Sequence, residues 1–190
     1  MNHKGTQTIW IRDRHIVLRR FDEGDVRAMF DNWASDREVT KYLTWNAYTD
    51  IWNVLQKIEE WAESYKSPDF YLWAIEYEGE LIGSISAETK IKAATDRADL
   101  GYCIGRKWWN KGIMTEAVKA VMDYMFSECR AHSCEISHCM DNPASGRVAE
   151  KCGMHRNGII PEYFKANDGT WQDVAVWSIL QKKWENSKVS

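Results

Sequence analysis

The chain has 190 residues, of which 44% are apolar, 13% aromatic and 28% charged. That is one domain's length with ample material for a core, which excludes a disordered chain. The net charge of −3, with basic residues dispersed along the sequence, excludes a general nucleic-acid binder.

His15–Arg20 alternates as a first strand, and Asp22 can cap a helix over Glu23–Ala34 with Val26, Met29, Phe30 and Trp33 on one face. An irregular segment, Asp36–Tyr48, carries Tyr42, Trp45 and Tyr48. Thr49 then reads as the cap of a helix up to Lys66, with Ile51, Trp52, Leu55, Ile58, Ala62 and Tyr65 at helical spacing. Ser67-Pro68-Asp69 ends it. Strands are expected at Phe70–Tyr77 and Leu81–Thr89, joined through Glu78-Gly79-Glu80 as a hairpin. Another follows at Ala98–Ile104 after a polar loop. A glycine-containing turn then opens a helix over Gly112–Cys129. His132–Met140 reads as a strand, Pro143–Lys151 as a short helix with Gly153 closing it, and Met154–Phe164 and Trp171–Gln181 as strands around Asn167-Asp168-Gly169. This order predicts a mixed sheet of about seven strands with helices on it, an α/β (α+β) domain. No internal repeat or interdomain linker interrupts the chain.

No apolar stretch approaches bilayer length, and Met1–Thr8 is too polar for a signal peptide, so a cytoplasmic protein is expected. The five cysteines (103, 129, 134, 139 and 152) form no C-x-x-C pair, which fits reduced thiols and no metal.

The segment Gly105-Arg-Lys-Trp-Trp-Asn-Lys-Gly112 joins a strand to a helix. Such a turn aims backbone N–H groups at one spot, at the positive end of a helix, and so suits a phosphate. Gly112 permits close approach of a ligand, and Arg106 and Lys111 add charge. Read alone, the segment fits a structural turn somewhat better than an anion site. Asn142, before Pro143, is by itself a helix cap.

Together these pieces resemble the GNAT superfamily of N-acetyltransferases, most closely its branch acting on ribosomal-protein N-termini (alanine or serine). HIVLRRFDEGD, LGYCI, WWNKGIMTEAV and NPASGRVAEKCGM carry the resemblance at the family's spacings. It implies a single acetyltransferase domain over 1–190, with its core at about 9–184. The implied fold is a mostly antiparallel sheet splayed between its fourth and fifth strands. It also implies acetyl-coenzyme A as co-substrate, held by Cys103, Ile104, Arg106, Trp109, Asn110, Lys111, Gly112, Ile113, Met114, Thr115, Asn142 and Ser145. The family motif [Q/R]-x-x-G-x-[G/A] reads here Trp109-Asn-Lys-Gly112-Ile-Met114, which leaves Gly112 and backbone amides to carry the contact. An oxyanion donor is implied near Cys103 or Ile104. The family's tyrosine, seven residues after the Asn, is Ala149 here, so Ser145 becomes the candidate partner of the departing thiolate. Glu162 and Asp99 are candidate bases, with water as the alternative.

The acceptor, a small amine or a protein N-terminus, is expected beside Trp45 and Tyr48 and the late strands. A monomer or homodimer without nucleic-acid or membrane partners is expected. A Cys103–His138 nucleophilic pair fits less well than core packing for both residues. Trp109, Met114 and Ala149 keep a second function open, an acyl-coenzyme A sensor with little turnover. An aromatic-rich single-strand nucleic-acid binder lacks the basic stripe it would need.

Overall fold

The structure is a computed structural model and describes residues 1–89, 95–167 and 169–188. Asp168, within the expected late turn, and most of the loop after Thr89 lie outside the described residues. Eight strands form one sheet: β1 (Ile9–Ile11), β2 (Ile16–Arg19), β3 (Leu72–Tyr77), β4 (Glu80–Thr89), β5 (Arg97–Ile104), β6 (Ser133–Cys139), β7 (His155–Lys165) and β8 (Trp171–Leu180). Their spatial order is β1-β2-β3-β4-β5-β6-β8-β7. Neighbours are antiparallel except β5 and β6, which run parallel. The expected mixed, mostly antiparallel sheet is present, with the short β1 added at its edge.

Helices cover both faces. On one lie α4 (Ile113–Ser127) and α5 (Pro143–Lys151), packed on Ile85, Ala98, Leu100 and Ile136. Ala117, Val118, Val121, Met122 and Met125 of α4 are wholly buried there, as its 3.6-residue stripe requires. On the other lie α1 (Val26–Met29), α2 (Arg37–Thr40) and α3 (Ile51–Ser64), where Met29, Trp33, Val54 and Ile58 pack on Leu72, Ala74 and Leu81. A C-terminal α6 (Gln181–Ser187) follows β8.

Local chemistry moves several boundaries. The expected helix 23–34 is composite. Asp22 and Asp25 form a capping box around a 3₁₀ turn, then α1 runs into a π-helical turn at Phe30–Ala34. The cap of α3 is Asp50, whose carboxylate accepts from Trp52 N–H at 2.9 Å, rather than Thr49. Asp36 likewise caps α2, inside a segment expected to be irregular.

The β5–β6 seam positions the site. Pairing covers Arg97–Asp99 against Ser133–Glu135 and stops there. Gly105 N–H donates to Ile82 carbonyl, and the β4–β5 register is unbroken. Strand alternation therefore puts Cys103 in the β4 ladder and turns Tyr102 and Ile104 toward the opened seam. The same alternation, read from Met140 N–H on Asp173 carbonyl, turns Ser137 and Cys139 toward it from β6. Two strand edges face each other across a gap.

Candidate active site

Two cavities meet at that gap. The smaller, of about 520 Å³, runs between the glycine turn and α5. The larger, of about 1040 Å³, lies against the aromatic residues of the α1–α3 side. Tyr42, Leu43, Tyr102, Cys103, Asn142 and Ser145 line both.

The smaller cavity begins at the turn after β5. Residues Arg106–Trp108 make one 3₁₀ turn; Asn110 and Gly112 then take left-handed conformations, with φ of 60° and 78°. Gly112 is the N-cap of α4 and has no side chain to satisfy the first-turn N–H groups, so these remain available to an anion. The Trp109 indole N–H donates to Ile104 carbonyl at 2.8 Å and folds the turn back on the strand. Trp109, Asn110, Gly112, Ile113, Met114 and Thr115 all line this cavity.

Two expected cations are elsewhere. Arg106 Nε donates to Asp36 at 2.5 Å, which directs its guanidinium to the cap of α2, and neither Arg106 nor Lys111 lines the cavity. Lys41, Arg147 and Lys151 line it instead, and Arg14 Nη2 stands 3.8 Å from where a Cβ on Gly112 would be. These cations come from segments far from the turn in sequence, and the turn's own pattern gave no sign of them.

At the junction, Tyr102 Oη and Ser145 Oγ lie 2.8 Å apart. Burial holds the Tyr102 phenol well above its usual range, so it stays protonated and remains a donor, although Ser145 opposes the shift. This hydroxyl pair occupies the region expected of Ser145 alone. Tyr102 was missed because its signal, a lone tyrosine in LGYCI, reads as core. Ala149 is wholly buried. Asn142 caps α5, its side chain accepting from Ser145 N–H at 3.4 Å while its N–H donates to Cys139 carbonyl at 2.8 Å. Among the oxyanion candidates, Ile104 directs its N–H to the gap and Cys103 does not.

The two candidate bases are not brought here. Glu162 is exposed, with φ of 46° at a register break in β7, and its N–H donates to Asp173 at 2.9 Å. Asp99 sits in the paired part of β5. Neither lines either cavity. Cys103 and His138 also do not pair. Cys103 Sγ contacts Ser84 Oγ at 3.3 Å, and burial raises its thiol pKa. His138 Nδ1 is 2.8 Å from Cys139 carbonyl, and its Nε2 accepts from the Trp177 indole at 3.1 Å. Burial lowers the imidazole pKa and keeps the ring neutral.

Trp45 and Tyr48 line the larger cavity, stacked with ring centres 5.3 Å apart. Asn167, from the β7–β8 turn, donates to Thr40 and Trp45 carbonyls at 3.2 and 3.1 Å and so ties the late hairpin to this wall.

A comparison with known families matches residues 15–155 to the acetyltransferase (GNAT) domain. The chain belongs to the GNAT acetyltransferases. A relative, the probable N-acetyltransferase YjcK of Bacillus subtilis (strain 168), is 37% identical over 175 residues, covering 90% of this acetyltransferase and 96% of the relative. The [ribosomal protein uS5]-alanine N-acetyltransferase of Escherichia coli (strain K12) is 26% identical over 177 residues, with 89% of each chain covered. Among solved structures, the spermidine N-acetyltransferase of Vibrio cholerae, in complex with CoA and spermine, superposes with a TM-score of 0.76 at 23% identity. That superposition covers 90% of this acetyltransferase and 99% of the other chain. In the described residues, no helix is long and apolar enough to cross a membrane.

Proposed function

We propose that this acetyltransferase moves an acetyl group from acetyl-coenzyme A directly to a primary amine, either a protein N-terminus or a small amine. The observation that carries the reading is the meeting of two cavities at the opened β5–β6 seam, beside the Tyr102–Ser145 hydroxyl pair. The first-turn amides of α4 and the cations Lys41, Arg147 and Lys151 suit the pyrophosphate-bearing co-substrate in the smaller cavity. The gap-facing backbone groups of Tyr102 suit an amide of its extended arm. Relatives acting on a ribosomal-protein alanine and on spermidine support both acceptor classes.

In this reading the amine nitrogen attacks the thioester carbonyl carbon, and Ile104 N–H stabilises the developing oxyanion. The carbon–sulfur bond then breaks, and Tyr102, through Ser145, gives the departing sulfur a proton. The six residues shared by the cavities include no carboxylate and no imidazole, and His138, which lines the larger cavity, has both ring nitrogens engaged; in this reading the amine's own proton leaves to water, with Glu88 of the larger cavity as the side-chain alternative. The second reading, a sensor with little turnover, rests on Trp109, Met114 and the missing tyrosine at 149; against the last of these, Tyr102 offers a hydroxyl beside Ser145. The test is thiol release from acetyl-coenzyme A with alanyl peptides, polyamines and simple amines, across pH. Turnover whose kcat/KM rises along the acceptor amine's own titration is expected. Tight binding without release for every amine would give the sensor instead.

A further inference from the structure

His138 lies on β6, half-buried, in the wall of the larger cavity, and no step of the transfer uses it. Both of its ring nitrogens are committed. The Cys139 carbonyl, 2.8 Å from Nδ1, can only accept, so Nδ1 carries the hydrogen. The Trp177 indole N–H, 3.1 Å from Nε2, can only donate, so Nε2 keeps its lone pair. The two partners select one protonation state of the three an imidazole can take. Burial, and after it the charge of Arg156, disfavours the imidazolium, with the Cys139 carbonyl opposing.

The ring is joined to Ser145 from two sides. The Cys139 carbonyl also accepts from Asn142 N–H at 2.8 Å, so its two lone pairs hold both the imidazole and the residue that caps α5. Asn142 in turn accepts from Ser145 N–H, through its side chain at 3.4 Å and its carbonyl at 3.2 Å. On the other side the ring lies against Gly146. A Cβ there would stand 2.9 Å from Nε2 and 3.1 Å from Cε1, closer than side-chain atoms pack. Glycine inside a helix is destabilising relative to alanine, and its use here is to let α5 settle on the imidazole. Ser145, flanked by these two contacts, has its Oγ 2.8 Å from Tyr102 Oη.

We infer that His138, held in its Nδ1–H tautomer, is the positioning residue of the proton path: it sets the first turn of α5 and so places Ser145 Oγ on Tyr102. The inference rests on the acetyl-transfer reading and adds to it a residue that acts through Ser145. An imidazole bonded at both nitrogens cannot turn without giving up both bonds. An apolar ring of similar size fills the same space but leaves the Cys139 carbonyl with one partner, and the turn that carries Ser145 loses its fixed floor. Packing and positioning therefore predict different variants.

The experiment compares steady-state acetyl transfer by wild type, His138→Phe, His138→Asn and Gly146→Ala. Phenylalanine fills the space without a donor, whereas asparagine puts an amide N–H where Nδ1–H stood. In His138→Phe, kcat is expected to fall about ten-fold, with KM for acetyl-coenzyme A and for the amine within about two-fold. In His138→Asn, kcat should return to within about three-fold of wild type. Gly146→Ala drives a methyl group against the ring and should give a loss of kcat of about the same size, again with both KM values held. Wild-type kcat in His138→Phe, or losses shared equally by kcat and both KM values, would overturn the inference while leaving acetyl transfer intact. A second arm needs neither a variant nor turnover. The nitrogen NMR shifts of the wild-type His138 ring, assigned through its bonds to the backbone, should show Nδ1 protonated and Nε2 bare at neutral pH. An Nε2–H tautomer or an imidazolium sinks the proposal even if no amine is acetylated.

Discussion

The two cavities are built in different ways. The smaller is made largely of backbone: a left-handed glycine, a helix start and the free edge of β5. The larger is made of side chains delivered by α1, α3, the loop before α3 and β4. A backbone-built site depends on local conformations that a few residues dictate, so it can be recognised from a short motif even when several motif positions have changed. A site built from side chains depends on which distant segments meet, and no short stretch encodes that.

The largest expected break in this comparison is at Gly112. Aspartate there must adopt a φ of 78°, which side-chain-bearing residues rarely take, and it places a carboxylate between Arg14 and the anion site. Like-charge contact of this kind costs several kcal/mol, so calorimetry should show acetyl-coenzyme A affinity reduced about 100-fold or more. Tyr102→Phe comes next. Loss of a positioned proton donor should lower kcat by about 100-fold in steady-state assays, with coenzyme affinity unchanged. Equal losses in kcat and coenzyme affinity would make the hydroxyl a binding group instead. Asn167→Ala removes two hydrogen bonds on the acceptor wall. A rise of roughly three- to five-fold in KM for the amine is expected, with no change for the coenzyme. Glu162→Gln, at an exposed position outside both cavities, should leave the pH–rate profile within about two-fold of wild type.

The same division explains what the sequence could show. The glycine turn, α4 and the Asn142 cap are local, and the joint spacing of LGYCI, WWNKGIMTEAV and NPASGRVAEKCGM located them and the seam between them. Tyr102 and Ser145 are 43 residues apart, and Asn167 and Trp45 are 122 apart; neither pairing leaves a local trace. Glu162 lies outside both cavities for a different reason: β7 is the edge strand of the sheet and is exposed over nearly all its length, and no single-strand pattern marks a strand as an edge. Arg106 shows that proximity in sequence to a turn does not fix a side chain's direction: Asp36, 70 residues away, holds it.

The Trp109 indole, anchored to Ile104 carbonyl, has one more consequence. It takes up the acceptor at the end of β5 while leaving that residue's amide hydrogen facing the gap, so Ile104 presents a donor and no acceptor at the mouth of the seam, whereas Tyr102, two residues earlier, presents both. The outermost rung of the opened ladder is therefore one-sided.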